Sequence, residues 1–248
     1  DLVQDPAVTQ FARRQGREVL TGGVVELVYF NQGEEPWADA LFGPDPIRGF
    51  GCGPTAMAMV VSSLGSEVVD PARMAQMADE AGYCAPGSGS YLSIVQGMAR
   101  AFGLDAESCG TVSAEELRQM LASGQLLVAL MGPGHFTDGG HFIVLRGVTL
   151  TGQVLVADPN SRERSLALWD PQLILDELSD SRSSGAVNFW SIHWRQYDIN
   201  GVAWPVFTTY HNERDGWYFI LPDSWEGSLI LERRDLTGGG ERAVVFSH

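Results

Sequence analysis

A thiol set between two glycines at the start of a helix is a prepared nucleophile, and this sequence has one. Cys52 stands in Phe50-Gly51-Cys52-Gly53-Pro54-Thr55, where the glycines permit a sharp turn and Pro54 suits the first turn of a helix. There the positive end of the helix dipole and the unpaired N–H groups favour thiolate, lowering the pKa from its free value of about 8.5. A cysteine before a helix is more often just a small buried hydrophobe; two flanking glycines argue against that use. A cysteine nucleophile also needs a base within hydrogen-bond reach. Of the five histidines, His193, His211 and His248 come late, whereas His135 and His141 share the Gly-rich segment 134–141, which feeds a strongly apolar strand. His141 sits at the mouth of that strand, where a rigid element can hold a catalytic side chain, and is the preferred base. His135, in mid-loop, is its competitor.

A third group must fix the imidazole tautomer. The runs HFIVLRGV (141–148) and QVLVAD (153–158) are separated by Thr149-Leu150-Thr151-Gly152 and read as an antiparallel hairpin. With Val148 facing Gln153, His141 lies opposite Asn160, and Asp158 is one pleat away. A register read from sequence is uncertain by a residue or two, so Asp158 and Asn160 are both candidates. Asp158-Pro159 also has a plain use as a turn starter, since Asp-Pro recurs at 5, 45, 70 and 170.

The elements that must carry these groups are helices first and strands second, an α+β order. Asp5-Pro6, Asp70-Pro71 and Asp170-Pro171 have the Asp N-cap and Pro N1 signature. Ser113 and Glu116 form a capping box opening SAEELRQMLASG, with the apolar run 126–131 following as a strand. GPTAMAMVVSSLG is apolar on most faces and reads as a buried helix; SYLSIVQGMARAFG is a second helix, ended by Gly103. NFWSIHW (188–194) reads as a strand of the same domain. From Tyr197 onward, WYFILP, SLILERRD and ERAVVFS form a small β meander, marginal as an independent unit, so it is expected to pack on the main domain, to belong to something longer or to be incomplete. Trp190, Trp194, Trp204, Trp217 and Trp225 cluster in this late region and are read as packing residues.

Composition removes several classes. The 248 residues, 44% of them apolar, can bury a core, and no run of 18 apolar residues spans a membrane. All 16 basic residues are arginine, so Schiff bases, Ser–Lys dyads and phosphate-binding lysines are ruled out. The net charge of −15 repels phosphate backbones and argues against a nucleic-acid partner. The cysteine and histidine spacings match no zinc site, and no cofactor is called for.

Five segments together resemble the C39-like branch of the papain-like cysteine peptidases: Tyr29-Phe30-Asn31-Gln32, Trp37-Ala38, Gly51-Cys52-Gly53-Pro54-Thr55-Ala56, Gly140-His141-Phe142-Ile143-Val144-Leu145 and Val156-Ala157-Asp158-Pro159. The resemblance covers roughly residues 25–195. It implies a papain-like α+β fold, with a helical half carrying Cys52 packed on an antiparallel sheet carrying His141. It further implies Cys52 as nucleophile, His141 as general base and acid, Asp158 as the residue orienting the imidazole, and Gln32 as oxyanion-hole donor. The function implied is hydrolysis of a peptide or isopeptide amide through an acyl-enzyme, with a peptide or cell-wall peptide as substrate. An acyl transferase would use the same residues, and a binding module that has lost turnover is the non-enzymatic alternative. The expected organisation is an N-terminal helical extension (1–24), the C39-like domain (25–195) and a β-rich C-terminal module (196–248).

With Cys52 reserved for chemistry, Cys84 and Cys109 are the pair left for a disulfide. Such a bridge belongs to an oxidising compartment. Together with an opening residue that is Asp rather than Met, it gives an expectation of a bacterial protein, extracellular or on the cell surface, with its export signal removed.

Overall fold

The structure, a computed structural model, describes residues 9–109 and 112–179, and beyond them the strands 189–197, 203–212, 217–221, 230–235 and 242–247. It is mixed α/β with antiparallel sheets and divides into two compact units, 1–179 and 180–248.

The first unit opens with a three-stranded sheet of β1 (Phe11–Arg14), β2 (Arg17–Leu20) and β3 (Leu27–Val28). This corrects the expected helical extension. Gln15 and Gly16 both have positive φ, 52° and 80°, the geometry of a two-residue hairpin turn, and Arg14 pairs with Arg17 across it. The Asp5-Pro6 helix start lies outside the described residues. The short pair β4 (Leu41–Phe42) and β5 (Asp45–Pro46) leads into α1 (Ile47–Phe50) and then α2 (Cys52–Leu64). α2 is apolar on all sides, and every residue from Gly53 to Ser62 is buried. α3 (Pro71–Glu80) is capped by Asp70, whose carboxylate accepts the Arg73 N–H. The pair β6 (Cys84–Ala85) and β7 (Gly89–Ser90) and then α4 (Ile94–Ala101) follow.

α5 (Ala114–Ala122) has the expected Ser113/Glu116 capping box and delivers the chain to β8 (Leu127–Met131). β9 (His141–Val148) and β10 (Val154–Ala157) form the expected hairpin, followed by α6 (Arg162–Leu166), β11 (Leu168–Trp169) and α7 (Pro171–Asp176), which Asp170 caps. The sheet order is β11-β10-β9-β8. Every residue of β9 is buried, and alternate side chains serve opposite faces. Phe142 and Val144 pack with α2 and α4, while Ile143 and Leu145 pack with Leu117 and Leu121 of α5 and Ile174 of α7. Covered on both faces, the strand reads as a nearly continuous apolar run in the sequence.

One residue interrupts that run. Arg146 is the extra residue of a β-bulge, and the pairing steps from Val148↔Val154 near the turn to Leu145↔Val156 beyond it. Arg146 is 1% exposed and donates to the carbonyls of Val156 (3.2 Å), Thr21 (3.0 Å) and Gly22 (2.8 Å). The backbones meet closely there: a Cβ on Gly23, which has φ +79°, would lie 2.9 Å from the Arg146 carbonyl.

In the second unit, β12 (Phe189–Tyr197), β13 (Ala203–Asn212) and β14 (Trp217–Leu221) form one antiparallel sheet, and β15 (Ile230–Asp235) pairs with β16 (Arg242–Ser247). The strand 189–197, expected in the first domain, pairs instead with 203–212, since its cross-strand partners follow it directly in the chain. The side chains of His193, His211, His248 and the late tryptophans lie outside the described residues.

Candidate active site

Cys52 is the first residue of α2, where the N–H groups of a helix have no intrahelical acceptor. Its thiol lies beside the His141 side chain and the backbone N–H groups of Phe142 and Gly53, all of which favour the thiolate. Burial is the largest single influence and opposes ionisation; the His141 contact and the two N–H groups outweigh it and hold the thiol below its ordinary value. Gly53 has to be glycine: a Cβ there would lie 2.3 Å from Ser90 Oγ and 2.8 Å from Ser90 Cβ.

His141 begins β9 opposite Met131 of β8 and is 6% exposed. Its Nε2 meets Asp158 Oδ1 at 2.8 Å, which leaves Nδ1 for the Cys52 thiol. Burial alone would disfavour the imidazolium, but the Asp158 and Cys52 contacts prevail and raise its pKa to about 9. Thiol down and imidazole up is the signature of a thiolate–imidazolium pair.

Asp158 ends the hairpin and is fully buried. Its Oδ1 also accepts the Asn160 N–H (2.7 Å), and Oδ2 accepts Arg164 Nε (2.5 Å). Burial pushes this carboxyl up, and the three donors more than reverse that, keeping it ionised. Both uses weighed for Asp158-Pro159 therefore coexist, because the oxygen that accepts the Asn160 N–H to form the turn also receives His141. Asn160 itself supplies only backbone, which corrects its candidacy: past Ala157 the chain leaves β10 and turns.

Gln32 is 3% exposed, and its backbone N–H donates to the Pro159 carbonyl at 2.7 Å, which seats it beside the Asp158 turn. Its Nε2 donates to the Arg48 carbonyl at 2.9 Å, leaving that nitrogen a second N–H. The Asx turn closed by Asn31 Oδ1 and Gly33 N–H, and the bond from Trp37 Nε1 to the Asn31 carbonyl (2.7 Å), fix the loop that carries it.

His135 is placed elsewhere. Its Nδ1 meets Glu177 Oε1 at 2.5 Å, its ring edge faces Trp169, and its side chain is 61% exposed, so it fastens the 132–140 loop to the segment after α7. Cys84 and Cys109 are both free thiols, which corrects the expected disulfide. The Cys84 thiol is turned under β4 toward the Phe42 carbonyl (3.5 Å), whereas Cys109 is exposed beyond α4. The compartment argument built on that pair falls with it.

Sequence reasoning missed Arg164 and the groups that seat the Asp158 backbone. Ser165 Oγ accepts its N–H (2.9 Å) and Tyr29 Oη donates to its carbonyl (2.9 Å). The available signal was the run Ser161-Arg162-Glu163-Arg164-Ser165 directly after Asp158-Pro159-Asn160: Ser161 caps α6 by accepting the Arg164 N–H, which turns that helix back over the carboxylate.

Among the described residues, no group of three or more His, Cys, Asp and Glu side chains is arranged to hold a metal, and no helix is long and apolar enough to cross a membrane. Comparison with curated proteins and with solved structures gives no match. Residues 25–172 match the Peptidase C39 like family, a span that runs from the strand before Gln32, through Cys52 and His141, to the start of α7 after Asp158. The match takes in every group of the thiol–imidazole–carboxylate chain, and it places this chain in the peptidase C39-like family.

Proposed function

We propose that the protein hydrolyses a peptide amide with Cys52 as nucleophile, His141 as general base and acid, Asp158 as the residue that orients the imidazole, and Gln32 as an oxyanion donor. The observation that carries this reading is the His141 ring, which has the Cys52 thiol beside it and a fully buried Asp158 carboxylate 2.8 Å from its Nε2. The family supports the general activity, and the packing of α2, which carries Cys52, against β9, which carries His141, fits the papain-like plan.

In the first half-reaction the thiolate of Cys52 attacks the carbonyl carbon, a C–S bond forms, and the carbonyl electrons move to oxygen. The developing oxyanion is held by the first-turn N–H of Cys52 and by the second N–H of Gln32 Nε2. A donor of this kind is typically worth about 3–4 kcal/mol. As the C–N bond breaks, His141 gives the proton on Nδ1 to the leaving amine. In the second half-reaction His141 takes a proton from water, the hydroxyl attacks the thioester, and the C–S bond breaks to return the thiolate.

The test has two steps. Near neutral pH, iodoacetamide should modify Cys52 faster than Cys109, although Cys109 is the exposed thiol, and His141→Ala should remove that preference. Native protein should then hydrolyse amide bonds in a mixed peptide library, and Cys52→Ala should not. Equal reactivity of the two thiols in the native protein refutes the reading and leaves a binding module that keeps the arrangement without turnover.

A further inference from the structure

The Asp158 carboxylate is shared between an imidazole and a guanidinium, and only the imidazole belongs to the reaction proposed above. Oδ1 faces His141 Nε2 at 2.8 Å, while Oδ2 faces Arg164 Nε at 2.5 Å. Among the described residues, Arg164 has no other ion-pair partner, and it reaches a fully buried carboxylate from a side chain 27% exposed. Its backbone is held at both ends, by Ser161 Oγ on its N–H (3.1 Å) and by Trp169 Nε1 on its carbonyl (3.0 Å), so the guanidinium is aimed by the fold.

The neighbouring arginine of the same short helix is used differently. Arg162 pairs with Glu34 (2.8 Å) and Glu18 (2.7 Å) and lies over the rings of Phe11 and Tyr29. The charged and titratable groups facing the carboxylate are therefore His141 from β9, Arg164 from α6 and Tyr29 from the segment after β3, with Cys52 of α2 on the other side of the His141 ring and Arg162, over the Tyr29 ring, engaged by Glu18 and Glu34. Burial pushes the Tyr29 phenol up to about 12, so it remains a neutral donor throughout the working range.

We propose that Arg164 is a positioning residue that sets the pH window of the Cys52–His141 pair by holding part of the Asp158 charge away from His141. The inference rests on the reading of Cys52, His141 and Asp158 given above. A carboxylate paired with a guanidinium presents less negative potential to the imidazole than an unpaired one. Removing the guanidinium charge gives His141 the full field of Asp158, so its imidazolium persists to higher pH. The same added negative field disfavours the Cys52 thiolate, so the thiol ionises later. Both limbs of the reactivity profile move up. A role confined to packing would lower the amount of active protein and leave both limbs in place.

The experiment is the pH profile of Cys52 alkylation by iodoacetamide between pH 4 and 10, on full-length protein, for native, Arg164→Gln, Arg164→Met and Arg164→Lys forms, with thermal midpoints measured alongside. Both uncharged variants should raise the two limbs by roughly 0.5–1 pH unit. Arg164→Lys, which keeps the charge, should restore them to within about 0.3 unit. Either uncharged variant suffices if the other does not fold. Limbs that stay in place in a folded uncharged variant, or that move down, overturn the inference while the native profile upholds the thiol reading. A native profile without a preferred Cys52 overturns the thiol reading itself.

Discussion

Replacing Asp158 by Asn keeps the shape of the side chain and removes its charge, which isolates what the carboxylate contributes. Oδ1 accepts from His141 Nε2 and the Asn160 N–H, and Oδ2 accepts from Arg164 Nε. An amide offers one acceptor oxygen and one donor nitrogen. With the oxygen toward His141, the new NH2 meets Arg164 donor to donor; flipped, it meets the Asn160 N–H. Either way a buried donor is left unpaired, at about 1–3 kcal/mol. Arg164 also loses its counter-ion, but at 27% exposure solvent screens it, which limits that loss to about 1 kcal/mol. The sum is about 2–4 kcal/mol, a fall in thermal midpoint of roughly 5–15 °C for a unit of this size. The chemical consequence has its own sign. His141 has its pKa raised to about 9 from an ordinary 6.5, so its stabilising contribution is complete below pH 6.5 and lost as the pH rises through 9. Without the anion that pKa falls back, the basic limb of Cys52 alkylation moves down by more than about one unit, and the stability gap between the two proteins narrows toward pH 9. Urea unfolding at pH 6 and 9 and the alkylation profile measure both effects. Asn160→Ala is the control, because only the backbone of Asn160 is engaged. An Asp158→Asn protein with native limbs, alongside an Asn160→Ala protein whose limbs have moved, would refute the assignment of the orienting group.

Three further outcomes are expected. Gly53→Ala gains about 1 kcal/mol of helix propensity but drives a Cβ to 2.8 Å from Ser90 Cβ and 3.4 Å from the Phe142 ring, an overpacking cost of about 1–3 kcal/mol, so urea unfolding should show net destabilisation and Cys52 alkylation should slow. Arg146→Met strips the donors from three carbonyls, those of Val156, Thr21 and Gly22, and should cost about 2–4 kcal/mol in urea unfolding, whereas an unchanged midpoint would show that those carbonyls find other donors. Cys84 and Cys109 are unpaired, so reduction should leave the intact mass unchanged and denatured protein should take up three alkyl groups, while a gain of two protons on reduction would restore the disulfide.

The parts of the site that could be read from the sequence are those whose constraints are local. Gly51 is legible because the turn into α2, crowded by Ile47 four residues earlier, leaves no room for a side chain, whereas the contact of Gly53 with Ser90 is long-range and only the glycine itself hints at it. His141 is legible because it opens a strand buried on both faces, and such a strand is one continuous apolar run. The helix caps at Asp70, Ser113 and Asp170 are local by nature. The hairpin register needed one more fact. Counting from the turn misses the bulge at Arg146, and only with that extra residue does the pairing at the site end agree with the count that placed Asp158 and Asn160 near His141. The N-terminal hairpin was hidden because Asp5-Pro6 is a strong helix signal just ahead of it, while its own turn, Gln15-Gly16, is a weak one. The arginines were illegible for a different reason. Arg146 finds two of its three acceptors, and Arg162 both of its glutamates, 124 to 144 positions away, and Arg164 finds its own only because a chain turn brings α6 back over Asp158. In a chain with 31 acidic residues, a basic side chain reads by default as one member of a solvated surface pair.

Which end of the catalytic chain is rigid follows from the donors. Every polar atom of Asp158 is occupied: its N–H by Ser165, its carbonyl by Tyr29, Oδ1 by His141 and Asn160, and Oδ2 by Arg164. Those partners come from β9, from α6, from the turn between β10 and α6 and from the segment after β3, so displacing the carboxylate would break bonds to all of them at once. His141 is tied to that anchor by one ring nitrogen, and Cys52 is tied to His141 by the other. The carboxylate is thus the fixed point from which the imidazole is aimed, and the thiol at the head of α2 is the partner left able to adjust when an acyl group arrives. Substitutions around α6 should therefore change the pH dependence of the reaction, whereas substitutions in the first turn of α2 should change its rate at the optimum.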